Sequence, residues 1–285
     1  MYFKVLLSLF RSVLGTGRSF KIPPDRKYSR WRSLPMDRVK YLERIDYTDV
    51  IEVADDVLTR LHKNHVYQIP FENLDVYYKR VFDLNIERVY KKVICDLRGG
   101  FCYELNLLFN WLLTEIGFSS RIIPSRIFNE DGTLGPYFDH MSVYVKTEKE
   151  FLVDVGYGDL FDTPIEIKSG VQYDGRNYFR IDKWNQKEYL VSMSRDGVDY
   201  SKRYTFSLDV VKTEDFDIIC LDKQTNPNSY FVKNVICTKP TETGRVTIFN
   251  DKLVEKRGEL RIETPIHADD SLTRLLKDRF GIVIR

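Results

Sequence analysis

Apolar residues in the first third of the chain recur at helical spacing, and after Phe118 the period drops to two. The segment TDVIEVADDVLTRLHKNHVYQIP sets Val50, Ala54, Val57, Leu58, Leu61 and His65 on one helical stripe. Thr48 and Asp49 supply caps ahead of it and Pro70 stops it. IPFENL then reads as an ordered loop or short helix. Between Leu105 and Ile116 apolar residues fall at 105, 108, 109, 112, 113 and 116, with Leu107 and Trp111 as a second stripe. A helix apolar nearly all round is central and buried, and Gly117 is a natural stop for it.

Beyond Phe118, SRIIPSRIF, HMSVYVKT, FLVDVGYG, NYFRID and EYLVSMS read as strands, with Asp-Gly at 131, 174 and 196 marking turns or loops. Many strands in succession suggest a barrel or a curled sheet. LDVVKTEDFDIICLDK reads as a connecting helix, and NPNS at 226 to 229 as a turn and boundary. The tail carries hairpin-like strands, VTIFNDKLVEKR among them, and a last helix, DDSLTRLLKDRF, stopped by Gly281. No internal repeat or low-complexity segment interrupts the pattern.

The 285 residues include 44 Lys and Arg against 42 Asp and Glu, a net charge of +2. That balance gives no global electrostatic case for nucleic acid or an acidic membrane as partner. Eighteen Tyr and 18 Phe favour apolar pockets. Cysteines at 95, 102, 220 and 237 form no C-x-x-C pair and no metal spacing, so they read as reduced thiols of a cytosolic protein. No run is long enough to span a bilayer. The opening MYFKVLLSLFRSVLGTGRSF has a short apolar patch, but Arg11 breaks it and makes a poor signal peptide. Residues 1–35 carry eight basic side chains against Asp25 alone. They read as an appendage ahead of Met36 that builds no core, an upstream start codon being one origin. A weak amphipathic segment touching a membrane is the less favoured reading.

Chemistry concentrates in RGGFCYELN, residues 98 to 106. The paired glycines permit a sharp turn or a close approach, and Cys102 falls at about the first helical position. Unpaired N–H groups and the positive helix end favour a thiolate there, and the same N–H groups suit an oxyanion. A structural cysteine behind a turn is the alternative. Cys95, Cys220 and Cys237 lie inside apolar patterns and read as core. Of the four histidines, His62 and His65 share a helix but have no further ligands, so no metal site is expected. His267 lies in the loop PIHADD.

His140 opens the strand HMSVYVKT. Met141, Val143 and Val145 share one face of it; His140, Ser142 and Tyr144 share the other. In the following strand Phe151, Val153 and Val155 match the apolar face, while Leu152 and Asp154 oppose it. The charged tip KTEKE makes the two an antiparallel hairpin, and burying both apolar sets together fixes the parity of the register. His140 and Asp154 then point to the same side as opposite or diagonal neighbours, roughly 5 to 8 Å apart at Cβ. A carboxylate at that range can hold the imidazole in one tautomer, the third group of a triad. The plain alternative is a polar outer face. Gly156 and Gly158, in DVGYGD, suggest that something approaches the backbone there.

RGGFCYELN, FDHMSVYV and FLVDVGYGD, in that order, resemble the signatures of the arylamine N-acetyltransferase family, and IPFENLDVYY and YLERIDY match its helical start. The resemblance covers about residues 38–285. It implies an α+β fold of three domains with a cysteine-protease- and transglutaminase-like triad architecture. These are a helical domain at 36–118, a β-barrel domain at 119–225 ending in the connecting helix, and a smaller α/β lid domain at 226–285. It implies Cys102 as nucleophile, His140 as base and Asp154 as orienter, with acetyl-CoA as cosubstrate and no metal. Phe71 and Tyr137 would meet the aromatic acceptor, with the loop at 129–139 shaping the pocket mouth. Gly158 and Gly156 would lie near the coenzyme. The implied reaction passes acetyl through a cysteine thioester to an arylamine, arylhydrazine or N-hydroxyarylamine, in cytoplasmic xenobiotic metabolism. Partners would be these small molecules, with no nucleic acid and no stable membrane insertion. A cysteine protease or transglutaminase shares the triad, a family relative could close an amide in a biosynthetic pathway, and a non-enzymatic binding protein could keep the fold.

Overall fold

The structure is a computed structural model and describes residues 35–267 and 269–284. The reading of residues 1–35 as an appendage falls, up to residue 34, outside the described residues. Helix α1 (Arg38–Arg44) is capped by the Asp37 carboxylate, which accepts from the Val39 N–H at 2.8 Å. Helix α2 (Asp55–Gln68) starts a turn later than the apolar stripe suggests. Asp55 and Asp56 occupy its first turn, where acidic groups suit the helix dipole, and Val50 is left exposed outside it. The short strand β1 (Phe71–Glu72) and helix α3 (Leu74–Tyr77) follow. Helix α4 (Ile86–Tyr90) runs into a π-helical turn, Lys91–Cys95. Cys95 is exposed on that turn, not in the core as its apolar neighbours suggest.

Helix α5 (Cys102–Ile116) is the buried centre of this region, and Gly117 ends it in the left-handed conformation. Its Leu105, Leu108, Phe109, Leu112 and Leu113 are fully enclosed, each contributing about 1.5–3 kcal/mol by removal from water.

An eight-stranded antiparallel sheet then curls into a nearly closed barrel. Its strands are β2 (Ser119–Ile127), β3 (His140–Lys146), β4 (Glu150–Val153), β5 (Ile165–Glu166), β6 (Val171–Tyr173), β7 (Tyr178–Lys183), β8 (Glu188–Ser194) and β9 (Ser201–Ser207). Their order across the sheet is β5-β4-β3-β2-β9-β8-β7-β6. In the β3–β4 hairpin Val143 faces Val153 and Val145 faces Phe151. This register buries Met141, Val143, Val145, Phe151, Val153 and Val155 against α5. The opposite face is no polar exterior: Tyr144 and Leu152 enter the barrel's own core with Phe179, Val191, Tyr204 and Phe206.

A single 3₁₀ turn (Thr213–Phe216) leads into α6 (Asp217–Thr225), and α7 (Tyr230–Lys233) follows the turn at 226–229. Strands β10 (Ile236–Thr241), β11 (Gly244–Phe249), β12 (Lys252–Arg257) and β13 (Leu260–Pro265) form a second sheet, covered by α8 (Asp269–Phe280) through Leu272, Leu276 and Phe280. Its fifth strand is β1, which pairs with β10 through Phe71–Thr238 and Glu72–Cys237. The segment after α2 is thereby joined to the last sheet. Among the described residues no helix is long and apolar enough to cross a membrane.

Candidate active site

Cys102 is the first residue of α5. The preceding glycines do not turn through left-handed backbone. They let Gly100 bridge to Phe71: the Glu72 N–H donates to the Gly100 carbonyl at 2.9 Å, and the Gly100 N–H to the Pro70 carbonyl at 3.2 Å. A Cβ on Gly99 would stand 2.2 Å from that Pro70 oxygen. The close approach is thus made by the chain itself. Glu104 accepts from the Phe101 N–H at 2.8 Å and closes the helix start.

A buried charge cluster fixes this junction from below. Arg98 donates to Glu72 at 2.7 Å and Asp75 at 3.1 Å, while Lys92 reaches Asp75 and Glu104, each at 2.7 Å. Burial alone would disfavour the charged forms of Lys92 and Arg98. The neighbouring carboxylates instead hold Lys92 and Arg98 above their ordinary values.

His140 and Asp154 meet as diagonal neighbours of the hairpin, both enclosed. The His140 Nε2 lies 2.7 Å from Asp154 Oδ2, which leaves Nδ1 as the free ring nitrogen. Asp154 also accepts from Tyr204 Oη at 3.0 Å, Asn106 Nδ2 at 2.8 Å and the Gly156 N–H at 3.0 Å. Burial works against its charge, but His140 and the bonds from Asn106 and Gly156 hold its carboxyl below the usual range. Rings of Tyr157 and Tyr204 flank the imidazole at 5.7 and 5.6 Å.

Asn106 couples the two halves of the site. It stands one helical turn after Cys102, donates to Asp154 and to the Met141 carbonyl at 2.6 Å, and accepts from the Val155 N–H at 2.9 Å. Gly156 completes the contact, since a Cβ there would lie 2.6 Å from Asn106 Nδ2 and 2.7 Å from the Cys102 carbonyl oxygen. What approaches the DVGYGD backbone at Gly156 is therefore the cysteine helix, which leaves no room for a ligand at that point. Burial pushes the Cys102 thiol well above its ordinary value; Lys223 opposes this, while Cys220, Asp154 and Asp139 add to it. Burial thus opposes the thiolate that the helix end alone would favour.

Phe71 packs at a tilt into an aromatic wall with Phe101 at 5.8 Å and Phe231 at 6.2 Å, and its ring touches the Gly158 position. The Gly158 carbonyl accepts from Arg245 of β11. Tyr137 is set apart from this wall: its hydroxyl bonds Ser207 at 2.8 Å and Asp209 at 2.7 Å, and its ring packs on Phe138. His62 and His65 are enclosed in α2, bonded to the Asp162 carbonyl and the Tyr41 hydroxyl. Among the described residues no group of three or more His, Cys, Asp or Glu gathers into a metal site.

Sequence reasoning missed Asn106, Tyr204 and Phe231. Only Asn106 carried a signal, its spacing of four from Cys102 on one helical face.

The fold is that of a known class of acyltransferases. A family profile described as N-acetyltransferase matches residues 56–285. The pineal gland arylamine N-acetyltransferase isozyme NAT-10 of Gallus gallus is 30% identical, over 87% of this chain and 95% of its own. Among solved structures, the arylamine N-acetyltransferase of Salmonella typhimurium superposes with a TM-score of 0.80 at 24% identity, over 86% of this chain and 90% of its own. That of Mycobacterium marinum, solved in complex with CoA, gives 0.79 at 27%, over 86% and 93%. The chain belongs to the arylamine N-acetyltransferase family and is an acyltransferase.

Proposed function

We propose that this chain transfers an acetyl group from acetyl-CoA to an aromatic amine, hydrazine or N-hydroxyarylamine through a thioester on Cys102. The observation that carries the reading is the His140–Asp154 pair tied by Asn106 to the helix that begins at Cys102. Burial disfavours a lone thiolate, so the thiol proton passes to His140 Nδ1 as sulphur attacks the thioester carbonyl. Asp154 supports the imidazolium through Nε2. The N–H groups of the first turn of α5 would suit the developing oxyanion. The CoA sulphur leaves with the proton from His140, and the acetyl group stays on Cys102. In the second half the amine attacks, His140 takes its proton, and the amide leaves as the thiol re-forms.

The rings of Phe71 and Phe231, backed by the enclosed Phe101, suit a planar acceptor. Phe71 is the acceptor contact in this reading; the hydroxyl of Tyr137 is already engaged elsewhere. Gly158, beside Phe71, is the coenzyme contact, and the relative solved with CoA supports that donor. Residues 36–118, 119–225 and 226–285 act as nucleophile, His–Asp and covering units. All four cysteines are free thiols, which fits a cytoplasmic setting. The test is release of free CoA thiol from acetyl-CoA across a panel of anilines, hydrazides and hydroxylamines. Release that depends on the acceptor is expected; no acceptor-dependent release with any of the three classes would refute the reading.

A further inference from the structure

The residue before His140 is Asp139, and its carboxylate is enclosed. Asp139 Oδ1 pairs with Lys223 Nζ of α6 at 2.7 Å, and Oδ2 accepts from the Ile127 N–H at 3.3 Å. The pair is nearly dry, with side-chain exposures of 16% for Lys223 and 11% for Asp139. Lys223 also lies over the Phe231 ring at 5.4 Å, on the aromatic wall. From the other side Tyr103, next to Cys102, donates its hydroxyl to the Phe138 and Asp139 carbonyls at 3.0 and 2.9 Å. The segment that delivers His140 is therefore gripped by the nucleophile helix and by α6.

We propose that Lys223 is a positioning residue of this site: as counter-ion of Asp139 it holds the entry to His140 and cancels a carboxylate that would otherwise add to Asp154. A buried ion pair contributes little net stability, so its placement here points to charge balance. Without Lys223 two enclosed carboxylates, at 139 and 154, would face one thiol–imidazole couple. The thiol equilibrium would then move to higher pH, because nearby negative charge disfavours a thiolate.

The groups facing the couple come from every neighbouring element. His140 meets Asp154 beyond β4, Tyr157 of the following loop and Tyr204 of β9. Cys102 lies within the influence of Asp154, Asp139, Lys223 and Cys220. Of these, Lys223 is the one cation against two carboxylates, and removing it makes the balance more negative.

This inference rests on Cys102 and His140 acting as proposed above, yet it is testable without acetyl transfer. The measurement is the pH dependence of iodoacetamide alkylation of Cys102 in the full chain, followed by mass spectrometry of its peptide, with exposed Cys95 as the reagent control. Lys223→Met should move the midpoint up by about one pH unit, roughly tenfold slower labelling on the rising limb. Asp139→Asn should move it down. The double variant should return close to the parent, and Lys223→Arg should stay there. If Lys223→Met does not fold, Asp139→Asn and the double variant still decide. Midpoints unmoved in the folded variants, or both single changes shifting the same way, would overturn the proposal. A chain that transfers no acetyl group would sink the thioester reading and leave this titration intact.

Discussion

Asp154 is the residue on which the site's electrostatics turn. It is enclosed, charged and surrounded by donors from His140, Asn106, Tyr204 and Gly156. Asp154→Asn would set an amide against those donors and leave the imidazolium without its counter-charge. The variant should unfold cooperatively at a lower denaturant midpoint, and acetyl transfer should fall on the order of 10²- to 10⁴-fold. Steady-state kinetics beside a urea titration check this, and near-native turnover would contradict the role. Gly156 makes a second residue-scale test. Gly156→Ala pushes a methyl group against Asn106 and the Cys102 backbone, so stability should drop by about 1–3 kcal/mol and turnover should fall more steeply than in a surface glycine variant such as Gly170→Ala. Equal turnover in the two would show that the Gly156 contact does not position the nucleophile.

At the scale of elements, α2 carries an acid sensitivity. His62 is fully enclosed and burial drives it from 6.5 down to about 4, while His65 is depressed for the same reason. Both are therefore neutral in the folded chain at pH values where the unfolded chain binds protons. Stability is fully present above about pH 6.5 and drains as pH falls, down to about 4 for His62, where the folded imidazole itself protonates. The His62 contribution is on the order of 3 kcal/mol. Urea midpoints measured from pH 7 to 4.5 should decline, and His62→Gln should make the decline shallower; an unchanged slope would contradict it. The β3–β4 hairpin shows which elements were legible in the sequence. Alternating apolar residues on both strands leave one parity that buries them together, and that parity alone brings His140 and Asp154 to one side. The start of α2 was not legible, because Val50 continues the stripe while two aspartates set the real terminus. Cys95 was misread for a related reason: a π turn shifts which side chains face inward.

For the whole molecule, the helices with the inner hairpin face, the barrel interior and the last sheet with α8 form separate cores. Periodicity revealed the change from helix to strand, and the motifs the family fold. It could not reveal that β1 leaves the helical region to pair with β10, or that Phe231 returns to Phe71, since such partners are set by tertiary packing over more than 150 residues. These long-range contacts bring Arg98, Glu72 and the aromatic wall up to the start of α5. The central claim about that assembly is a covalent one: the acetyl group rests on Cys102 between donor and acceptor. Mass spectrometry of the full chain after acetyl-CoA alone, with peptide mapping, tests it most directly. One acetyl group is expected on the peptide holding Cys102, released when an aromatic amine is added. Acetyl on another residue, or none on a preparation that transfers acetyl, would contradict it.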